Sequence, residues 1–200
     1  QKHAHTLAVR SFVLSGAELV GVAKERFAAI QERQAEVSQK FSENVLDATD
    51  QWSHYVSTEQ LAGVPDDVLQ ATRSAAQADG KEGHKLNLKM PCYLPVMQFA
   101  HSSSLRETLY RAYVTRASDQ SDAVKAGKTE QDNTPWVKEI LALRQEEAAL
   151  LGYNNFAEVS LASKMAQSPA EVTSFLRDLA KRARPFAEKD VAEMREFAAE

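Results

Sequence analysis

The sequence predicts a mainly α fold, a helical bundle-like segment carrying one short two-stranded β element near residues 52–56 and 85–90. Three observations predict it. Apolar residues recur three, four or seven positions apart over long stretches, as on one face of a helix. Cap and stop residues bracket those stretches. Only two short segments are aromatic and β-branched or alternate apolar with polar residues in the manner of a half-buried strand.

The first element is an apolar-rich helical segment from Leu7 to Leu14, read as the tail of a longer helix and closed by Ser15-Gly16, where glycine takes the left-handed conformation that ends helices. A long amphipathic helix follows over Val22–Val45. It places Ala23, Phe27, Ile30, Val37, Phe41 and Val45 on one face, and a stripe of this spacing packs into its own domain. Trp52–Val56 reads as a strand, and Leu86, Leu88 and Met90 alternate with Asn87 and Lys89 as its partner. Between them Pro65 suits a first helical turn, so Asp66–Ala78 is predicted helical, ending at Gly80.

Ser104 followed three residues later by Glu107 has the form of a capping box, starting a helix over Leu105–Arg116. Residues 118–134 are polar and aperiodic and predict an exposed loop, the place for disorder in this chain. Thr134-Pro135 combines a cap with a first-turn proline and opens a helix in which Val137, Ile140, Leu141, Ala148 and Leu151 run down one side to Gly152. The last helix starts at Ser168-Pro169-Ala170-Glu171 and continues through Val172, Phe175, Leu176, Leu179 and Ala183. Pro185 removes a backbone donor and should kink or break it before Phe186, Met194 and Phe197 resume the stripe.

Composition excludes several function classes. Twenty-four basic against twenty-eight acidic side chains give a formal charge of −4, the wrong sign for a nucleic-acid partner. The basic cluster Lys181, Arg182 and Arg184 is answered by Glu188, Asp190 and Glu193 on the next turns. No apolar run approaches the length of a membrane span, and no signal-peptide pattern opens the sequence. Cys92 is the single cysteine, consistent with a reducing, cytoplasmic compartment. The missing initial methionine and the run FAAE at the end are read as cut ends of a longer chain.

No chemistry-bearing constellation emerges from the residues, so no catalytic or metal-binding residue is assigned. A peptidase zinc site commonly sets two histidines four apart on a helix with a glutamate beside the first. His3 and His5 are two apart, and His54, His84 and His101 are widely separated. His101 reads as a surface or capping-region residue, His84 as exposed in a turn beside Gly83, and Cys92 as a small buried residue lacking any nucleophile signature. The adjacent pairs Glu146-Glu147 and Asp66-Asp67 diverge on a helix and read as surface charge.

Three stretches carry a resemblance: FSENVLDATDQW (Phe41–Trp52), MPCYLPVMQFAHSSSLRETLYRAYVTRASD (Met90–Asp119) and LALRQEEAALLGYNNFAEVSLASKMA (Leu141–Ala166). In this order they resemble the oligopeptidase A and thimet oligopeptidase family of zinc metallopeptidases. The resemblance implies a mostly helical, two-lobed enzyme with a deep channel, acting on short peptides. It also implies metal-assisted hydrolysis, in which zinc polarises the carbonyl and lowers the pKa of a bound water while a glutamate accepts its proton.

The family's H-E-x-x-H motif does not occur in these residues. The expectation is therefore that residues 1–200 are a single helical, non-catalytic portion of a zinc oligopeptidase, with the zinc held outside them and no cofactor within them. Short peptides and the remainder of the same polypeptide are the expected partners, and the substrate-binding residues are left unassigned. The competing reading is a self-contained helical interaction module that offers its stripes at Phe27–Val45 and Val172–Ala183 to another helix.

Overall fold

The computed structural model describes residues 2–199, with side chains from Ala8 onward. Its elements in order are α1 (Lys2–Leu14), α2 (Gly21–Gln51), β1 (His54–Val56), α3 (Asp66–Ala78), β2 (His84–Leu86), α4 (Met90–Phe99), α5 (Ser103–Thr115), α6 (Asp122–Lys125), α7 (Thr134–Leu150), α8 (Phe156–Leu161) and α9 (Pro169–Ala199). The mainly α class and the small antiparallel sheet are as the sequence predicts. The residues gather into two compact units, one from Arg33 to Ile140 and one formed by the residues up to Glu32 with those from Leu141 onward.

The unit from Arg33 to Ile140 owns a closed core. Val56, Leu61, Val64, Val68, Leu86, Val96, Leu105 and Leu109 cluster there, with Trp52, Leu69, Tyr93 and Met97 packed against them. In the sheet His54 pairs with Leu86, Tyr55 with Lys85 and Val56 with His84. The predicted alternation through Leu88 and Met90 overruns this strand. Asn87 Oδ1 accepts from the Lys89 N–H at 2.9 Å, turning the chain, and Met90 opens α4. Pro91 and Pro95 hid this helix from the sequence. Pro91 sits in the first turn, where no donor is needed, and Pro95 is carried inside the helix, which buries Cys92 and Val96.

Helix α5 begins earlier than its predicted cap. Ser102 Oγ accepts from Leu105 N–H at 3.3 Å, whereas Glu107 turns outward to Arg111 at 2.8 Å. Arg106 Nη1 fastens the corner between α4 and α5 by donating to the carbonyls of Ala100 and His101.

Over 118–134, where a loop is predicted, the backbone forms α6 and a 3₁₀ turn at Thr129–Gln131, and Ser121, Gln131 and Asn133 are buried. Side-chain hydrogen bonds organise it in place of apolar periodicity. Asn133 donates to the Phe41 carbonyl at 3.0 Å and accepts from Asn44 Nδ2 at 2.9 Å, and Asp132 Oδ1 accepts the Thr134 N–H at 2.9 Å at the start of α7. The predicted stripe of α7 is only partly covered: Ala148 is buried but Val137 and Leu141 are exposed, and Leu143, outside the predicted stripe, is buried instead.

In the other unit Phe27 and Ile30 of α2 are buried, as are Ala148 and Val159. Arg26 clasps Glu146 through Nε and Nη2, both at 2.6 Å, which holds the Glu146 carboxyl below its ordinary range. Glu147, predicted as surface charge, is buried instead, because it shares the inward side of α7 with Leu143 and Ala148.

Helix α9 opens as its sequence predicts. Ser168 Oγ accepts from Glu171 N–H at 3.1 Å, and Glu171 Oε2 reaches back to the Gln167 N–H at 2.6 Å. It runs unbroken through Pro185, because Lys181, whose carbonyl loses its partner there, is exposed to solvent. No residue of α9 is buried.

Candidate functional site

The donors that could make a metal or nucleophile site are dispersed and engaged. His84 is fully buried as the first residue of β2, not exposed as its glycine neighbour suggests: Gly83, at φ +80°, passes close to the Val56 carbonyl, and the ring packs inward. Its Nε2 lies 3.0 Å from Thr58 Oγ1 and its Nδ1 3.0 Å from Thr72 Oγ1. Thr72 already gives its hydroxyl proton to the Val68 carbonyl at 2.8 Å, so Nδ1 is the donor and Nε2 accepts from Thr58. Burial, with the Arg73 charge second, pushes the His84 pKa down.

His54 stacks on Trp52 with ring centroids 6.0 Å apart. His101 is exposed, its N–H held by the Ala62 carbonyl at 2.8 Å. The side chains of His3 and His5 lie outside the described residues. Cys92 is buried, its Sγ accepting the Asn87 N–H at 3.5 Å, and burial raises its thiol pKa. Among the described residues no three histidine, cysteine or acidic side chains gather as a metal would require.

Concave surface is found in two places in the Arg33–Ile140 unit. One cavity of about 200 Å³ is walled by Gln51, Trp52, Leu88, Arg116, Lys128 and Gln131 among others. Gln51 Oε1 accepts from Lys128 Nζ at 3.2 Å and from Gln131 Nε2 at 2.9 Å. Arg116 lies 3.7 Å over the Tyr113 ring, donates to the Tyr113 carbonyl at 2.5 Å and leaves its buried Nε without an acceptor. Tyr113 in turn stacks on Tyr93 at 4.4 Å.

The second, a cleft of about 340 Å³, runs along α3 and the start of α4, between Val68, Ala71, Lys85, Lys89 and Cys92. Its lysines are answered by Asp79 at 2.6 Å and Asp50 at 3.0 Å. Neither place sets a nucleophile against a base with a third group to orient it. Sequence reasoning missed both, because their linings come from several elements and have no spacing of their own.

Among the described residues the geometry defines a helical body with modest hollows and no assembled reaction centre, and comparison with known proteins gives it a class: the chain belongs to peptidase family M3, whose family model matches residues 96–200. Among individual proteins it is similar to oligopeptidase A of Salmonella typhimurium and of Escherichia coli, each 49% identical over 199 residues. It is also 38% identical over 200 residues to an organellar oligopeptidase A of Arabidopsis thaliana. These matches cover 99% of this chain for the two bacterial proteins and 95% for the plant one. The chain spans only 29% of the length of the bacterial relatives and 24% of the plant protein.

Proposed function

We propose that this chain is a non-catalytic helical portion of a longer, cytoplasmic zinc oligopeptidase that hydrolyses short peptides. The carrying observation is the match to oligopeptidase A along 99% of the chain, over only 29% of that protein's length. Residues 1–200 then act as one structural part, with short peptides and the rest of the same polypeptide as partners.

The residues present do not fit a zinc site. H-E-x-x-H is absent, both ring nitrogens of His84 are engaged by threonine hydroxyls, and burial favours the protonated thiol of Cys92. No step of peptide hydrolysis is therefore assigned to a side chain of this chain, and the zinc is proposed to lie elsewhere in the polypeptide. A negative formal charge of −4 speaks against a nucleic-acid partner. Among the described residues no helix is long and apolar enough to cross a membrane.

The test compares the longer polypeptide with residues 1–200, the latter shown to be helical by circular dichroism, for zinc content and for cleavage of a short quenched-fluorescence peptide. Zinc and chelator-sensitive cleavage are expected in the longer polypeptide alone. Zinc-dependent cleavage by residues 1–200 would overturn the non-catalytic assignment, and an inert, zinc-free longer polypeptide would overturn the peptidase reading.

A further inference from the structure

We infer that the apolar stripe of α9 is an internal interface, covered by a segment of the same polypeptide outside residues 1–200 that brings a cation or hydrogen-bond donor to Asp190. This rests on the reading of the chain as part of a longer peptidase.

At about 100° per residue, Phe175, Leu179, Phe186, Met194 and Phe197 fall within an arc of about 100° on one side of the helix. All five are exposed, the phenylalanines at 64%, 72% and 80%. With about 200 Å² for each bare phenylalanine, these three alone present about 400 Å². That already matches the largest apolar patch of an ordinary monomer, before the leucine and methionine are added. Ion pairs four residues apart run beside the stripe: Arg182 pairs with Asp178, Arg184 with Glu188 and Lys189 with Glu193, so that Glu193, which falls at the edge of the same arc, is already answered. Among the described residues α9 lacks a cover for its apolar side from Phe175 onward.

Asp190 specifies that cover. It falls inside the same arc, is exposed, and makes no ion pair among the described residues. Covering the stripe without answering this carboxylate would bury an unpaired charge, which is strongly unfavourable. A second copy docking stripe to stripe offers Asp190 apolar neighbours, its own counterpart, or Glu193, another carboxylate that is already paired with Lys189. More than two thirds of the length of the bacterial relatives lies outside the matched segment, so ample chain exists to supply a different surface.

The test is thiol footprinting of the longer polypeptide carrying Leu179→Cys on the stripe or Arg184→Cys on the opposite side. Alkylation at each introduced site is read by peptide mass spectrometry, in native buffer and in urea. Position 179 is expected to react ~100-fold more slowly in the native state, and position 184 within a few-fold of its unfolded rate. Hydrogen exchange of the unsubstituted polypeptide over 175–197 checks that the substitution itself has not opened the helix.

Comparable native rates at 179 and 184, with fast exchange over 175–197, would overturn the inference. So would protection that appears only as concentration drives dimer formation, since the cover would then be a second copy. Asp190→Leu is expected to keep the stripe protected and Asp190→Lys to lose that protection; equal protection in both overturns the assignment of a cationic or donor partner. Peptide hydrolysis measured on the same preparations separates the two readings. Cleavage with an open stripe refutes only the interface, and a protected stripe without cleavage refutes only the peptidase.

Discussion

The buried imidazole of His84 makes stability depend on pH in a window of its own. A histidine in the unfolded chain titrates near 6.5, whereas burial and the Arg73 charge hold the folded pKa below that value. Above pH 6.5 both states are neutral and the stabilisation is fully present. As the pH falls through 6.5 the unfolded chain takes up a proton that the folded chain refuses, so stability falls. The slope attributable to one such proton reaches at most about 1.4 kcal/mol per pH unit, and it vanishes once the folded imidazole also titrates.

His84→Leu should remove that slope while lowering stability at neutral pH by about 2–3 kcal/mol, since two buried hydrogen bonds are lost and the Thr58 hydroxyl loses its acceptor. Urea denaturation of residues 1–200 at several pH values between about 7.5 and 5.5, analysed by linear extrapolation, measures both effects. Asp79, Glu139 and Glu146 do not confuse the result. Ion pairs with Lys85, Arg33 and Arg26 depress their pKa values, so what they contribute is present above their unfolded values of 3.8, 4.5 and 4.5 and is lost only as pH falls below them. An unchanged slope in His84→Leu, or an imidazole that titrates at or above 6.5 by NMR, would refute the reasoning.

Three further outcomes are expected. Gly63→Ala should destabilise by about 3 kcal/mol or more by urea titration, because φ is +94° there and the new Cβ would stand 2.3 Å from the Phe99 carbonyl oxygen and 2.6 Å from the His101 ring. Asn133→Ala should cost about 2–3 kcal/mol in the same assay, since it strands the Asn44 amide, itself buried, and removes a second hydrogen bond to the Phe41 carbonyl. Cys92 should resist a disulfide reagent in native buffer and react promptly in urea; fast native reaction would show that its burial is not maintained.

How far the sequence could be read depended on whether a residue's role is local. Helix α3 is found at Asp66–Ala78, as predicted, and the Ser168–Glu171 start of α9 is as predicted, because cap, proline and acidic residue act within one turn. The helix at Met90–Phe99 was illegible: two prolines argue against a helix locally, and packing of Cys92 and Val96 into the core overrides them. His84 was misjudged for a related reason. Its neighbour Gly83 signals a turn, but the hydroxyls that receive the ring belong to Thr58 and Thr72, well away in sequence. The buried Asn44–Asn133 pair spans an even longer separation and has no sequence signature at all.

The two long helices show what amphipathic spacing does and does not encode. Along α2 the predicted face meets neighbours, and Phe27, Ile30 and Val37 are buried. Along α9 an equally regular face is open to solvent from Phe175 onward, with only Val172 at its start partly covered. Periodicity therefore records that a face is selected to leave water, not that its cover lies in the same stretch of chain. The polar side supports this reading, since its Asp178–Arg182 and Arg184–Glu188 ion pairs are self-sufficient and would be indifferent to what packs opposite. An isolated helix gains little from such pairs, so a face as apolar as that of α9 is stable in water only if something else removes it from water. The polypeptide length that separates this chain from its relatives is where that cover is to be sought.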